Sequence, residues 1–120
     1  MPAYAVFMRD ETVDPAELAQ YSAKVDASFD GHQMTPLADY GTIETLEGDE
    51  IEGAVILEFP DMDAARASYR SPRYQEIARH RFKGARYRGF VVAGCSSIQQ
   101  PDGSLRPDDK PHWNQDYQKR

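Results

Sequence analysis

The first pattern along the chain is a short apolar run over residues 3–9, which polar residues follow at once. In an extended segment Tyr4, Val6 and Met8 fall on one side of this run, and Ala5, Phe7 and Arg9 fall on the other. The run predicts a first β-strand whose side chains point alternately to its two faces. The polar sequence that follows at residues 10–12 predicts its end.

A helix is predicted next by its starting signals and by a change of period. Asp14 suits the N-cap, Pro15 suits the first helical position, and Glu17 completes a capping box with Asp14. Apolar residues then recur at helical spacing and predict one stripe that lies on a sheet: Leu18, Tyr21, Val25 and Phe29. Gly31 is the predicted end of this helix.

The remaining pattern predicts, in chain order, a strand over 37–46, an apolar strand over 53–59, helices over 62–69 and 72–84, and a strand over 86–95. Asp61 and Ser71 precede the two helices as predicted caps. The cations Arg79, Arg81 and Lys83 fall in the last turn of the second one, where positive charge complements the helix dipole.

The order strand, helix, strand, strand, helix, strand predicts an α+β, ferredoxin-like βαββαβ domain over residues 1–95, with an antiparallel sheet and helices on one face. Since the strands are too apolar for an uncovered face, we expect a homodimer that buries it. Residues 96–120 are predicted to be an extended tail, either docked through Trp113 and Tyr117 or disordered.

Composition narrows the classes of function. The chain has 120 residues and a net charge of −6, which argues against nucleic acid as a partner. Basic residues concentrate over 66–88, and this segment either contacts an anionic small molecule or neutralises the acidic first half. With the single cysteine Cys95, no secretion signal and no membrane span, we expect a cytoplasmic protein.

Several short segments together have the pattern of a known family: Asp14-Pro15 with Tyr21, Leu46-Glu47-Gly48-Asp49, Ile56-Leu57-Glu58-Phe59-Pro60, Ala64-Ala65 and Tyr69-Arg70-Ser71-Pro72-Arg73-Tyr74. Over about residues 3–95 the chain resembles the domain-of-unknown-function 1330 family. The resemblance implies a homodimeric α/β barrel whose two sheets face one another around pockets. The superfamily includes small monooxygenases and muconolactone isomerase-like enzymes, but the family itself has no agreed activity. Relatives commonly have Gly-Gly-Arg after the first helix, where this chain has Gly31-His32-Gln33, so an anion contact at that arginine does not carry over.

Glu58 is the first candidate for chemistry, because it is a carboxylate between Leu57 and Phe59 in an apolar strand. If its side of the strand faces an apolar cavity, desolvation would raise its pKa and suit it to general acid or base catalysis. The alternative is a structural ion pair, for which Arg88 on the last strand is the expected partner.

Five residues besides Glu58 are candidates for the same site. His32 and Tyr40 would assist Glu58 in catalysis, and Tyr21, Arg70 and Arg88 would bind substrate. The alternatives are a solvated loop histidine, tyrosines in the core, and surface charge on a helix. The histidines have no metal-binding spacing, so neither a metal nor a cofactor is expected.

Two functions remain open from the sequence. The first is a cofactor-free enzyme that moves a proton on a small organic acid or lactone, with Glu58 as the acid or base. The second is a non-catalytic homodimer that binds a metabolite through the same cavity. Both use a small anionic organic ligand, and neither involves nucleic acid or a membrane.

Overall fold

The computed structural model of the protein describes residues 1–95. Its elements in chain order are β1 (Ala3–Thr12), α1 (Pro15–Lys24), a 3₁₀ turn (Asp26–Phe29), β2 (Thr35–Asp39), β3 (Gly53–Phe59), α2 (Met62–Arg70), α3 (Pro72–Gly84) and β4 (Ala85–Ala93). The predicted tail over 96–120, with its proposed anchors Trp113 and Tyr117, lies outside the described residues.

The four strands form one antiparallel sheet in the order β2-β3-β1-β4. Ala3 of β1 lies opposite Phe59 of β3 on one side and opposite Ala93 of β4 on the other. The register shifts between Arg9 and Glu11, which marks an irregularity in β1. The predicted α+β fold with the ferredoxin-like order of strands and helices is confirmed.

One face of the sheet carries the core. Every second residue of β1 and β3 points to the helices, and the buried cluster consists of Ala3, Ala5, Leu57, Phe59 and Ala65. Two alanines in β1 leave room for α2 to approach the sheet closely, and Ala65 of α2 is 2% exposed. Packing of α2 on β1 therefore depends on small side chains at its centre.

The first helix begins as predicted and ends earlier than predicted. The Asp14 side chain accepts hydrogen bonds from the backbone N–H groups of Ala16 and Glu17. The helix ends at Lys24 rather than near Gly31, and the 3₁₀ turn continues the chain to Phe29. The apolar stripe persists because the turn keeps its last member, Phe29, packed against the core.

The predicted bounds of β2 were wrong. The strand covers Thr35–Asp39 instead of 37–46, and residues 41–52 form neither helix nor strand. Tyr40 ends the strand because its backbone takes the left-handed conformation, with φ of 56°. That conformation is costly for a bulky residue and persists only where surrounding contacts hold it.

The other face of the sheet has no helix over it in residues 1–95. It presents Val6, Met8 and Ile56 at its centre, and Phe90 and Val92 of β4 are 49% and 46% exposed. We call this surface the open face. Within the same residues, no helix is both long and apolar enough to cross a membrane.

Candidate ligand-binding cavity

A cavity of about 130 Å³ lies between the sheet and the helices. Its apolar wall comes from β1, β3, β4, α2 and the segment around the 3₁₀ turn: Phe7, Val25, Phe29, Met34, Val55, Leu57, Phe59, Ala65 and Val91. Protein interiors are normally close-packed, and an opening of this size in a small core is therefore a feature that needs an explanation.

Four tyrosine hydroxyls gather at the polar end of the cavity in two hydrogen-bonded pairs. Tyr21 of α1 pairs with Tyr74 of α3, with 3.0 Å between the hydroxyl oxygens. Tyr40 pairs with Tyr87 of β4 at 2.5 Å. All four side chains line the cavity, although they come from four separate parts of the chain.

Burial raises the pKa of the Tyr21 hydroxyl far above its ordinary value, and the neighbouring Tyr74 raises it further. Burial also raises the pKa of Tyr40, with an added contribution from its hydrogen bond to Tyr87. Both hydroxyls therefore stay protonated at neutral pH. They serve the cavity as neutral hydrogen-bond donors rather than as bases.

Arg81 of α3 supplies the positive charge at this end. The residue is 4% exposed, and its guanidinium carbon lies 5.1 Å from the ring centre of Phe7 and 4.9 Å from those of Phe82 and Tyr87. Its buried Nε–H has no hydrogen-bond partner within the part of the chain that the structure describes. No carboxylate among residues 1–95 lies within ion-pair distance of it.

Arg81 was not predicted as a site residue. It was interpreted as one of three cations at a helix end, yet Tyr74, Ala78 and Arg81 are spaced i, i+4 and i+7 and form the buried face of α3. Arg81 lies on this stripe, whereas Arg79 and Lys83 do not and are exposed. Its position on the stripe was the signal in the sequence that could have identified it.

Other basic residues of the same segment are paired. Arg86 contacts Glu11 at 2.7 Å, and His80 Nδ1 lies 2.6 Å from Glu17 Oε2. Part of the basic segment thus neutralises the acidic first half within the fold. Arg81 differs from these residues because it faces rings and an opening rather than a carboxylate.

Two contacts hold the ring of Tyr40 in place, in addition to the hydrogen bond between its hydroxyl and that of Tyr87. A Cβ added at Gly53 would lie 2.5 Å from Tyr40 Cδ1, so the ring lies directly on the glycine backbone. The Arg9 guanidinium lies 5.0 Å from the centre of the same ring. Glu52 in turn accepts from Thr12 at 2.6 Å and from Arg9 at 3.1 Å. These contacts hold the pKa of Glu52 below its ordinary value. The hydrogen bonds from Thr12 contribute most to this shift, and the charge of Arg9 contributes less.

The structure brings Tyr21 and Tyr40 together at the cavity, but places Glu58 elsewhere. Glu58 lies opposite Tyr4 and Thr35 in the sheet, on the open face and not among the cavity residues. Its parity in the strand was predicted correctly, since it points away from Val55 and Leu57. The cavity is on their side.

The predicted pairing of Glu58 with Arg88 was wrong, because β1 lies between β3 and β4. Arg88 instead donates two hydrogen bonds to the Asp10 carboxylate, each 2.8 Å long. These bonds raise the pKa of Arg88. Arg88 is therefore committed to a structural ion pair at the surface.

Neither His32 nor Arg70 lines the cavity. His32 follows the 3₁₀ turn, where its backbone N–H donates to the Phe29 carbonyl. Arg70 is the exposed last residue of α2. Among the described residues no group of three or more histidine, cysteine, aspartate or glutamate side chains is arranged to hold a metal ion.

Residues 2–95 match the family model described as "Domain of unknown function (DUF1330)". The chain belongs to the DUF1330 family. The resemblance inferred from sequence segments is thereby confirmed. No curated protein matches the chain.

Solved structures share the fold of this DUF1330 chain. RPA0582, a protein of unknown function from Rhodopseudomonas palustris, has a TM-score of 0.62 and 17% identity, covering 79% of this chain and 83% of its own. A dimeric ferredoxin-like protein of unknown function from Thermobifida fusca has a TM-score of 0.54 and 16% identity, with 78% and 91% covered. A mutant of SnoaB, a cofactor-independent oxygenase from Streptomyces nogalater, has a TM-score of 0.54 and 16% identity, with 83% and 97% covered. At these identities the likeness shows the fold alone.

Proposed function

We propose that this DUF1330 protein binds a small organic molecule, an acid or a lactone, in the cavity between its sheet and its helices. The observation that supports this most directly is the convergence of one buried guanidinium and four tyrosine hydroxyls on an apolar opening. An apolar pocket with a few convergent polar groups is the usual form of a small-molecule site.

The size of the cavity favours a compact ligand. Its volume of about 130 Å³ is below the roughly 300–1,000 Å³ of pockets that hold drug-sized molecules. Rings on several sides favour a flat apolar body, and the polar groups at one end favour a single polar head. A small ring compound or a short branched acid has this shape.

Catalysis by proton transfer is a more specific proposal than ligand binding, and ligand binding has the stronger support. Glu58 cannot act on a ligand inside this cavity from the open face, whereas Asp39 is a carboxylate that lines the cavity beside Tyr40. In an enzyme of this design Asp39 would take the proton, and the neutral hydroxyls of Tyr21 and Tyr40 would stabilise the developing oxyanion. SnoaB shows that a protein of this fold can be an oxygenase without a cofactor, which is consistent with chemistry supplied by side chains alone.

We also propose that the protein is a homodimer, located in the cytoplasm, in which two open faces pack together as a barrel. The exposed Phe90 and Val92 support this arrangement, since large apolar patches on sheets are normally covered. The Thermobifida fusca neighbour is described as dimeric. In such a dimer Glu58 would lie at the interface, so a role for it would involve the partner subunit.

The test of the proposed function uses thermal shift measurements with a panel of small carboxylic acids and lactones. Ala65 lines the cavity and is buried, whereas Ala67 is exposed on the same helix. We therefore expect ligands to raise the Tm of wild type and of Ala67→Leu, but not of Ala65→Leu, whose added side chain fills the cavity. Val25→Leu, which adds a single methylene to the wall, is the milder variant should Ala65→Leu fail to fold. Equal responses in all variants, or none in wild type, would contradict the proposal.

A further inference from the structure

We infer that the cavity binds its ligand as a monoanion, a compact ring carboxylate with Arg81 as its counter-ion, and that it discriminates against the neutral lactone or amide of similar shape. This inference rests on the proposed function and specifies the class of ligand. It depends on the surroundings of a single buried charge.

A buried guanidinium normally has a carboxylate partner, because removing a charge from water without compensation is costly. Arg81 is 4% exposed and has no such partner among residues 1–95. Asp26 and Asp39 also line the cavity, but both are exposed side chains and neither lies within ion-pair distance of Arg81. The positive charge at the polar end of the cavity is therefore available to a ligand.

The aromatic rings around Arg81 determine which of its groups a ligand can reach. Rings of Phe7, Phe82 and Tyr87 lie 4.9 to 5.1 Å from the guanidinium carbon, and the ring of Tyr21 lies at 6.0 Å. Such contacts stabilise the cation but supply no hydrogen bond to its N–H groups, and the Nε–H has no partner among residues 1–95. A carboxylate can accept hydrogen bonds from two of these N–H groups with its two oxygens, and it carries a negative charge. A lactone carbonyl or a carboxamide is neutral and lacks this charge-assisted pair of bonds.

The tyrosines supply donors to the same head group. Within each hydroxyl pair one O–H donates to the other oxygen, so one proton in each pair remains uncommitted. Raised pKa values keep Tyr21 and Tyr40 protonated. The polar end thus offers one positive charge and two neutral donors, a set that matches an acceptor-rich anion.

A single negative charge fits better than two. The other guanidinium near this end, that of Arg9, is bonded to Glu52 at 3.1 Å. A second carboxylate on the ligand would therefore meet either the apolar wall or the rim residues Asp26 and Asp39, which repel it. We expect benzoate to bind and phthalate, which carries two adjacent carboxylates, to bind more weakly.

The experiment compares matched probes by isothermal titration calorimetry at neutral pH, with benzoate as the anion and benzamide as its neutral counterpart. In wild type we expect benzoate to bind more tightly than benzamide by about tenfold or more, the effect of charge-assisted hydrogen bonding. This preference should disappear in Arg81→Met and persist in Arg79→Met, which removes an exposed arginine from the same helix. Arg81→Lys, which keeps the charge but loses the planar fork, should retain a reduced preference.

Each result distinguishes the two proposals. Equal binding of benzoate and benzamide in wild type, or a preference that survives in Arg81→Met, would overturn the inference and leave a small-molecule cavity. Absence of binding by both probes and by the wider panel would overturn the proposed function, and the inference with it. Should Arg81→Met not fold, a preference for benzoate in Arg81→Lys as strong as that in Arg79→Met would overturn the inference, and a reduced one would support it.

Discussion

Replacing Arg81 by methionine is expected to stabilise the ligand-free protein while abolishing its preference for an anion. The reason is that Arg81 is a buried charge whose Nε–H has no hydrogen-bond partner among residues 1–95. Methionine has a similar length, carries no charge and packs well against rings. A residue that lowers stability but serves binding is expected at a functional site, where the two demands conflict.

The magnitude follows from three opposing contributions. An unsatisfied buried donor on a charged group costs about 1–3 kcal/mol or more, which the substitution recovers. The contacts of the guanidinium with the rings of Phe7, Phe82 and Tyr87 are each worth about 0.5–2 kcal/mol and are lost. Contacts of the methionine sulfur with the same rings restore about 0.3–1.5 kcal/mol each. The net change is about 1 kcal/mol in favour of the variant, or about 4 °C in Tm for a domain of this size.

Urea unfolding followed by circular dichroism measures this difference, with wild type, Arg81→Met and Arg79→Met at one protein concentration because dimerisation affects apparent stability. The exposed Arg79→Met should change the free energy of unfolding by less than about 0.5 kcal/mol. A loss of more than about 1 kcal/mol in Arg81→Met at an unchanged m-value would mean that the buried charge does not destabilise the ligand-free protein. It would show that the ring contacts, and not a ligand, satisfy Arg81.

Three further predictions concern Tyr40, the tyrosine pairs and the open face. Gly53→Ala should destabilise the protein by about 1–3 kcal/mol and weaken benzoate binding, because its Cβ would overlap the Tyr40 ring. Gly41→Ala, which has open space around its Cβ, should do neither. Urea unfolding measures the stability of both variants, and calorimetry measures their binding. Because the folded pKa values of Tyr21 and Tyr40 are raised, the unfolded chain releases protons first, and the free energy of unfolding should fall as pH rises above about 10. Unfolding at a series of alkaline pH values should show that the free energy of unfolding falls less in Tyr21→Phe than in wild type. An equal fall in the two proteins would show that the raised pKa of Tyr21 is not its cause. Phe90→Asp should halve the mass measured by light scattering if the open faces form the dimer, and an unchanged dimer mass would place the interface elsewhere.

Local signals explain most of what the sequence predicted about the fold. Asp14 with Pro15 and Ser71 with Pro72 begin helices in a way that depends on neighbours along the chain. The end of β2 was not predictable in this way. The backbone of Tyr40 is left-handed because a distant glycine, Gly53, leaves space for its ring, and such a contact exists only in the folded protein.

The candidate site was predicted only in part, because its position also depends on contacts that form only in the folded protein. Strand periodicity placed Glu58 on the side opposite Val55, but the pattern of one strand does not reveal which face carries a cavity. Tyr21 was found because helical spacing assigned it to a buried stripe. Arg81 belonged to an equally clear stripe, but its charge led to its interpretation as a cation that complements the helix dipole. Burial of an unpaired cation is unfavourable unless a ligand compensates.

Intermolecular nuclear Overhauser effects between benzoate and methyl-labelled protein show directly, by NMR, whether the ligand binds in the cavity. The methyl groups of Val25, Val55 and Leu57 line the cavity, while those of Val6 and Ile56 lie on the open face. We predict effects from the ring protons of benzoate to the first group and none to the second. Effects confined to the open-face methyl groups would contradict the account.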